Sequence, residues 1–125
     1  MSYCGIDIGV ENIAFSFIDQ YNNVVSYKGK INKGDTYVHR YAMDEEPSEI
    51  RVVGSDDVLG NICCLLTIVP EFKHTVRTFV ELQVGQHNNI IHKVEGAIHG
   101  FLIAKYPRMS IKSCSSQTRT KRADK

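Results

Sequence analysis

Hydrophobic and polar positions alternate along the first quarter of the chain, and this alternation predicts three β-strands. Residues 3–8 and 13–18 are rich in β-branched and aromatic side chains, which favour extended structure. The segment 9–12 between them contains Gly, Glu and Asn, and both Gly and Asn tolerate the positive φ of a tight turn. After a polar turn at 19–23, residues 24–31 alternate again. We therefore predict a three-stranded antiparallel meander.

The middle of the chain is less regular. Residues 32–54 mix glycine, proline and an acidic run, and we expect a loop or an extended excursion there. A helix is predicted next, because Ser55–Asp57 suits a helix N-terminus and the apolar run behind it stops at Pro70. This run is apolar almost all round, so the helix should lie against the sheet.

Three further elements complete the pattern. Residues 76–83 predict a fourth strand, and residues 109–114 predict a fifth. Between them, apolar residues recur at helical spacing from about residue 88 to Tyr106, and Pro107 ends the helix. The order β-β-β-α-β-α-β predicts an α/β fold in which helices pack on a mixed sheet.

Composition narrows the class of protein. A chain of 125 residues with 42% hydrophobic and 23% charged residues is expected to form one globular domain. The sequence contains neither a run of roughly 18 apolar residues, as a membrane span requires, nor the pattern of a signal peptide. The four cysteines show no zinc-binding spacing. We expect an intracellular protein with buried, reduced thiols and no membrane partner.

Positive charge is concentrated in the last part of the chain. From Lys105 onward there are seven Lys and Arg residues and one Asp, which gives this part a charge of +6 against −5 for the rest. A basic segment on an acidic body suits a nucleic-acid partner, and the alternative is a solubilising tail. The cations that would follow phosphates are Lys105, Arg108, Lys112, Arg119, Lys121 and Arg122.

Two acidic residues interrupt apolar strands. Asp7 lies near the end of the first strand and Glu81 near the end of the fourth, and neighbouring strands would bring them together. Two carboxylates that share a site repel unless a cation lies between them, and Mg²⁺ or Mn²⁺ suits such oxygen ligands. A site of this kind can hydrolyse phosphodiesters. The alternative is that Asp7 lies on an edge strand and only caps a turn.

The residues around this acidic pair resemble a known family. The stretch from Asp7 to Asn12 matches the Asp-x-Gly-x-x-Asn opening of Holliday-junction resolvases of the RuvC-like, poxvirus and yeast-mitochondrial type. Val80–Gln83 matches their hydrophobic-Glu-x-Gln strand, and the helix that follows, with Asn88, Asn89 and Glu95, is similar to theirs. The Asp-x-Gly turn is also similar to that of actin-like ATPases, but their second lobe does not fit in 125 residues.

The resemblance implies a ribonuclease-H-like fold and an endonuclease that cuts four-way DNA junctions symmetrically as a homodimer. It implies two Mg²⁺ or Mn²⁺ ions, with Asp7 and Glu81 as catalytic metal ligands. Asn12 and Gln83 would either touch DNA or fix the strand ends by hydrogen bonds. The place of action would be a site of DNA replication or recombination, and the poxvirus resemblance implies a viral source.

One departure from the family concerns its remaining ligands. The family has two further acidic residues near the start of a C-terminal helix, whereas this sequence offers only Asp124 after its basic stretch. We expect a single domain, residues 1–125, that lacks this helix, with Asp124 as the remaining candidate ligand. Either the chain is a fragment of a longer protein or the site is incomplete, and an incomplete site leaves open a non-catalytic module that binds branched DNA. Ile98 and Leu102 would form either a dimer face or part of the core.

Overall fold

The computed structural model describes residues 2–9, 11–32, 34–53, 57–82 and 89–115, and these residues form one sheet with two helices. The strands are β1 (Ser2–Ile8), β2 (Asn12–Asp19), β3 (Val24–Lys30), β4 (Asp35–Ala42), β5 (Ser48–Val53), β6 (Thr75–Leu82) and β7 (Ser110–Ser115). The helices are α1 (Val58–Ile68) and α2 (Asn89–Lys105), and a 3₁₀ turn spans Pro70–His74. Neither described helix has the length and apolar character needed to cross a bilayer.

The seven strands lie in the order β5-β4-β3-β2-β1-β6-β7. Neighbours from β1 to β5 are antiparallel, whereas β1, β6 and β7 run parallel to one another. Parallel neighbours need a crossover, and α2 connects β6 with β7 in this way. The arrangement confirms the predicted α/β fold in which helices pack on a mixed sheet, but the sheet has seven strands and not the predicted five.

Of the two alternatives predicted for residues 32–54, the loop is wrong and the extended excursion is right, because β4 and β5 form a hairpin there. Thr36 and Val38 of β4 and Val52 of β5 are buried, and they alternate with polar residues that face solvent. On the solvent side, Arg51 donates hydrogen bonds to Asp35 and Glu49. The charged residues that make this segment look like a loop therefore pair with each other, Arg51 with Asp35 across the strands and with Glu49 within β5, on a face that no described helix covers.

The helices α1 and α2 cover one face of the sheet, and the core lies between this face and the helices. Ile6, Phe15 and Val80 point to this face and are fully buried. The rings of Phe17 and Phe72 pack edge to face, with centroids 4.9 Å apart. The other core residues are Cys4, Ile8, Ile13, Tyr27, Ile31, Val38, Val52, Ile62, Leu65, Leu66, Val69, Ile91, Val94, Ile98, Leu102 and Met109.

The helices bury the residues that the apolar pattern indicated. Asp57 caps α1, because its carboxylate accepts a hydrogen bond of 3.0 Å from the Leu59 amide. Ile98 and Leu102 are fully buried, so they belong to the core and not to a dimer face. All four cysteines are free, but Cys64 is exposed, so the prediction of buried thiols is wrong for that residue.

Gly29 allows β3 and β4 to approach closely. A Cβ atom at this position would lie 1.8 Å from the Tyr37 carbonyl oxygen and 2.6 Å from the Val38 Cα. Both contacts are with backbone, which cannot rotate away. Only glycine fits here, and this sets the position of the β4–β5 hairpin beside the first three strands.

Candidate nuclease site on the open face

The structure places Asp7 and Glu81 side by side. Asp7 of β1 is the register partner of Glu81 in the parallel strand β6. Since neighbouring strands lie about 4.8 Å apart and alternate residues share a face, both carboxylates project from the same side of the sheet. They are at the carboxyl ends of their strands, which is where parallel strands present functional groups.

The acidic pair lies on the face that no described helix covers, which we call the open face. Ile6 and Ile8 flank Asp7 in sequence but point into the core, whereas Asp7 itself is exposed and Glu81 is half-buried. The penalty expected for a buried carboxylate therefore does not arise at Asp7. The edge-strand alternative is wrong, because β1 lies between β2 and β6.

A row of register partners crosses the open face through the acidic pair. Asp7 pairs with Ala14 of β2, Ala14 with Lys28 of β3, and Lys28 with His39 of β4. On the other side, Glu81 pairs with Cys114 of β7. The row therefore changes along its length from an acidic half to a half that carries a lysine and a histidine.

Two shallow depressions meet at Asp7. One, of about 420 Å³, runs from Asp7 over Ala14 to β3 and β4. The other, of about 460 Å³, contains Asp7, Glu81 and Phe79. Both share the small Ala14 side chain as part of their floor.

The acidic pair has the donor chemistry of a magnesium or manganese site. Carboxylate oxygens are the ligands that these ions prefer, and Mg²⁺ keeps several waters, so two protein ligands suffice for a weak site. Within the described residues, no group of three or more His, Cys, Asp or Glu side chains comes together. The described part of the chain thus offers Asp7 and Glu81 as the ligands that would hold such an ion.

Of the other predicted DNA-binding residues, two lie on the open face and two do not. Asn12 lines the depression that runs from Asp7 toward β3 and β4. Lys112 pairs with Phe79, one row from the acidic pair. Lys105 and Arg108 lie beyond the opposite ends of β6 and β7, away from the carboxylates. Gln83, Arg119, Lys121, Arg122 and Asp124 lie outside the described residues.

The sequence analysis missed Lys28 and Lys30, which lie close to the acidic pair in register. Both are exposed on β3 and line the depression that begins at Asp7. The period-two spacing of these lysines was visible in the sequence. Which face they occupy depends on the pairing of β3 with β2, which the spacing alone does not give.

The chain was compared with known families, curated proteins and solved structures, and similarities were found among the solved structures. No family model matches the chain, and no curated protein matches it. A structure of RuvC from Thermus thermophilus in complex with a Holliday junction substrate has a TM-score of 0.48 and 15% identity. A second Thermus thermophilus RuvC structure has a TM-score of 0.45 and 20% identity. Each likeness covers 92% of this chain, which spans 64% of the RuvC chain.

Proposed function

We propose that this chain is a metal-dependent endonuclease that acts on branched DNA, of the RuvC-like junction-resolvase type. The observation that carries the proposal is the register pairing of Asp7 with Glu81 on an exposed face. The resemblance of the sequence around each carboxylate to the resolvase motifs supports it independently. The finer resemblance to the poxvirus and yeast-mitochondrial proteins stays a prediction from the sequence, as does a homodimer.

Each residue of the acidic pair has a defined part in this proposal. Asp7 and Glu81 would hold Mg²⁺ or Mn²⁺, and the resemblance implies two ions. A bound ion of this kind polarises phosphoryl oxygens and makes its bound water more acidic. The two carboxylates would hold the ion and so set the place at which a phosphate is bound. The shallow floor at Ala14 leaves room for a DNA backbone above them.

A second candidate is a module that binds branched DNA without cutting it. One observation favours it: within the described residues, no third His, Cys, Asp or Glu side chain joins Asp7 and Glu81 to form a metal-binding group. A site with few ligands binds metal weakly, and cleavage would then be slow or absent. Binding of the substrate does not require the ion, so this module would keep its preference for junctions.

Cleavage of a labelled four-way junction, compared with a linear duplex of the same sequence, tests the proposal. The reaction is run in Mg²⁺ and in EDTA with the native chain, Asp7→Asn and Glu81→Gln. Asp44→Asn and Glu46→Gln are matched controls, because both residues are exposed in the β4–β5 turn. Asp44 has a φ of 62°, which asparagine tolerates well.

We expect Mg²⁺-dependent cleavage of the junction that both site variants lose and both controls keep. Junction binding should survive in Asp7→Asn, because that substitution removes a ligand and a negative charge but no contact with DNA. Binding by the native chain without cleavage in Mg²⁺ or Mn²⁺ would favour the non-catalytic module. Equal cleavage of the junction and the duplex, or equal binding to both, would contradict the junction-resolvase proposal.

A further inference from the structure

We propose that Lys28 and Lys30 hold backbone phosphates of the nucleic-acid strand next to the acidic pair, so that the strand crosses the open face over β2, β3 and β4. This assignment rests on the proposed function, because it takes nucleic acid as the ligand. It goes beyond that function in giving the strand a path over residues that belong to neither resolvase motif.

The register places both lysines beside the site. Lys28 pairs with Ala14, which in turn pairs with Asp7, so Lys28 lies two strands from the carboxylate in the same row. With strands about 4.8 Å apart, this separation is on the order of 10 Å. Lys30 pairs with Asn12, one row nearer the β1–β2 turn. The buried Tyr27 shows that the alternate residues of β3 point the other way.

Both lysines are available to a polyanion. Their side chains are exposed, and neither forms an ion pair with any described residue. Arg51, two strands away, is by contrast held by Asp35 and Glu49 at 2.7–2.8 Å. Such a lysine loses no ion pair when it neutralises a phosphate. The counterions that the nucleic acid then releases are the main source of its affinity for the protein.

The wall behind the lysines is fixed by its own contacts. Tyr37 of β4 pairs with Lys30, and the Arg51 guanidinium lies 5.0 Å from the centre of its ring. His39 packs edge-on against the same ring, with centroids 5.7 Å apart. A rigid aromatic wall reduces the entropy lost when a strand is held against it. The depression therefore has an acidic end at Asp7, two lysines on β3 and an aromatic wall on β4.

The opposite side of the acidic pair is less suited to phosphates. Beside Glu81, the second depression is lined by Phe79 and Cys114. Phe79 is 39% exposed, so an apolar ring occupies the surface there. The nearest cation on this side, Lys112, lies one row back, next to Phe79. Lys112 lines neither depression, whereas Lys28 and Lys30 line the same depression as Asp7, and this favours the β2–β4 side for the strand.

Salt dependence of junction binding tests the assignment without any need for cleavage. Anisotropy of a labelled four-way junction is measured in EDTA at several KCl concentrations. The variants are Lys28→Ala/Lys30→Ala and the conservative Lys28→Arg/Lys30→Arg. The control is Lys73→Ala/Lys93→Ala, which removes the same charge from exposed positions on the 3₁₀ turn and α2.

We expect the slope of log K against log salt to fall by about 2 in Lys28→Ala/Lys30→Ala, since each lost phosphate contact removes roughly one unit. The arginine variant should keep the native slope, and so should the control. An unchanged slope in the alanine variant, or an equal fall in the control, would overturn the assignment. A native chain that binds no junction would overturn both proposals. A native chain that binds through these lysines but never cuts would overturn only the nuclease.

Discussion

The Tyr27 hydroxyl donates a hydrogen bond to the Glu71 carboxylate, 2.6 Å from Oε2. This bond joins β3 to the 3₁₀ turn beneath the sheet, and the Nε of Arg40 completes the network with bonds of 3.2 Å to both partners. Burial, and then the hydrogen bond to Glu71, raise the pKa of Tyr27 well above its usual value.

Removal of this hydroxyl is expected to destabilise the fold at neutral pH. Tyr27→Phe removes one of the two donors of the partly buried Glu71 carboxylate and leaves it only Arg40, which costs about 1–3 kcal/mol. The free energy of unfolding in urea at pH 7 measures the loss. Tyr21→Phe is the control, because Tyr21 is 74% exposed. An equal loss in both variants would show that the Tyr27–Glu71 bond contributes nothing specific.

The raised pKa of Tyr27 also predicts a dependence on alkaline pH. Because the folded-state pKa exceeds the unfolded value of about 10, the contribution of Tyr27 is complete below pH 10 and is lost as the pH rises toward the folded-state value. We therefore expect the native chain to lose stability more steeply than Tyr27→Phe as the pH rises above about 10, the unfolded value. Parallel profiles for the two proteins would contradict this.

Gly29→Ala should be among the most damaging single substitutions in the sheet. The new methyl group would meet the backbone of Tyr37 and Val38, so β3 and β4 must separate. We expect a loss of at least about 3 kcal/mol in the free energy of unfolding. Gly5→Ala on β1 is the control, because a Cβ there meets nothing within 4 Å. A mild effect at Gly29 would mean that the hairpin adjusts freely.

Asp19 is expected to stabilise the β2–β3 turn only when it is ionised. Its carboxylate accepts hydrogen bonds from the amides of Tyr21 and Asn23 and from the Asn23 side chain, and the bonds from Asn23 are the main cause of its lowered pKa. A lowered folded-state pKa gives stability that is present above the unfolded value of about 3.9 and is lost as the pH falls below it. Asp19→Ala should lower the thermal midpoint at pH 7. The midpoint of the variant should also fall less than that of the native chain when the pH is lowered from about 5 to about 2, a range that spans the unfolded pKa. Glu46→Ala, which removes an exposed carboxylate of the β4–β5 turn, should change neither.

Without metal, Asp7→Asn should raise stability. The carboxylates of Asp7 and Glu81 are register partners, and like charges placed directly opposite in a sheet repel. We expect a higher thermal midpoint in EDTA for Asp7→Asn than for the native chain, and a smaller difference in excess Mn²⁺. A chain that fails to fold after this substitution would show that Asp7 is a structural residue.

The sequence predicted most of the elements because their apolar patterns have a single period. The strand around Asp7 and the helix around Ile98 were placed within a few residues of their observed bounds. The β4–β5 hairpin was missed because its outer residues, such as Arg51, are charged on a face that meets solvent. Alternation is hard to recognise when polar side chains satisfy each other across strands.

The candidate site was predictable in part. A carboxylate in each of two apolar strands indicated a shared position, since the ends of neighbouring strands meet. The exposure of Asp7 was not predictable, because the apolar neighbours Ile6 and Ile8 say nothing about which face a helix covers. The same missing information concealed Lys28 and Lys30, whose face is fixed only by the strand register.

The central claim is that Asp7 and Glu81 bind one and the same divalent ion, and Mn²⁺ titration followed by electron paramagnetic resonance tests it most directly. Affinities are compared for the native chain, Asp7→Asn, Glu81→Gln and the double variant. Loss of a direct ligand should weaken binding by about tenfold or more. If the two residues share one ion, the double variant should bind Mn²⁺ little more weakly than either single variant, because each single variant already lacks the complete two-ligand site. Single variants with native affinity, or losses that multiply in the double variant, would contradict a shared ion.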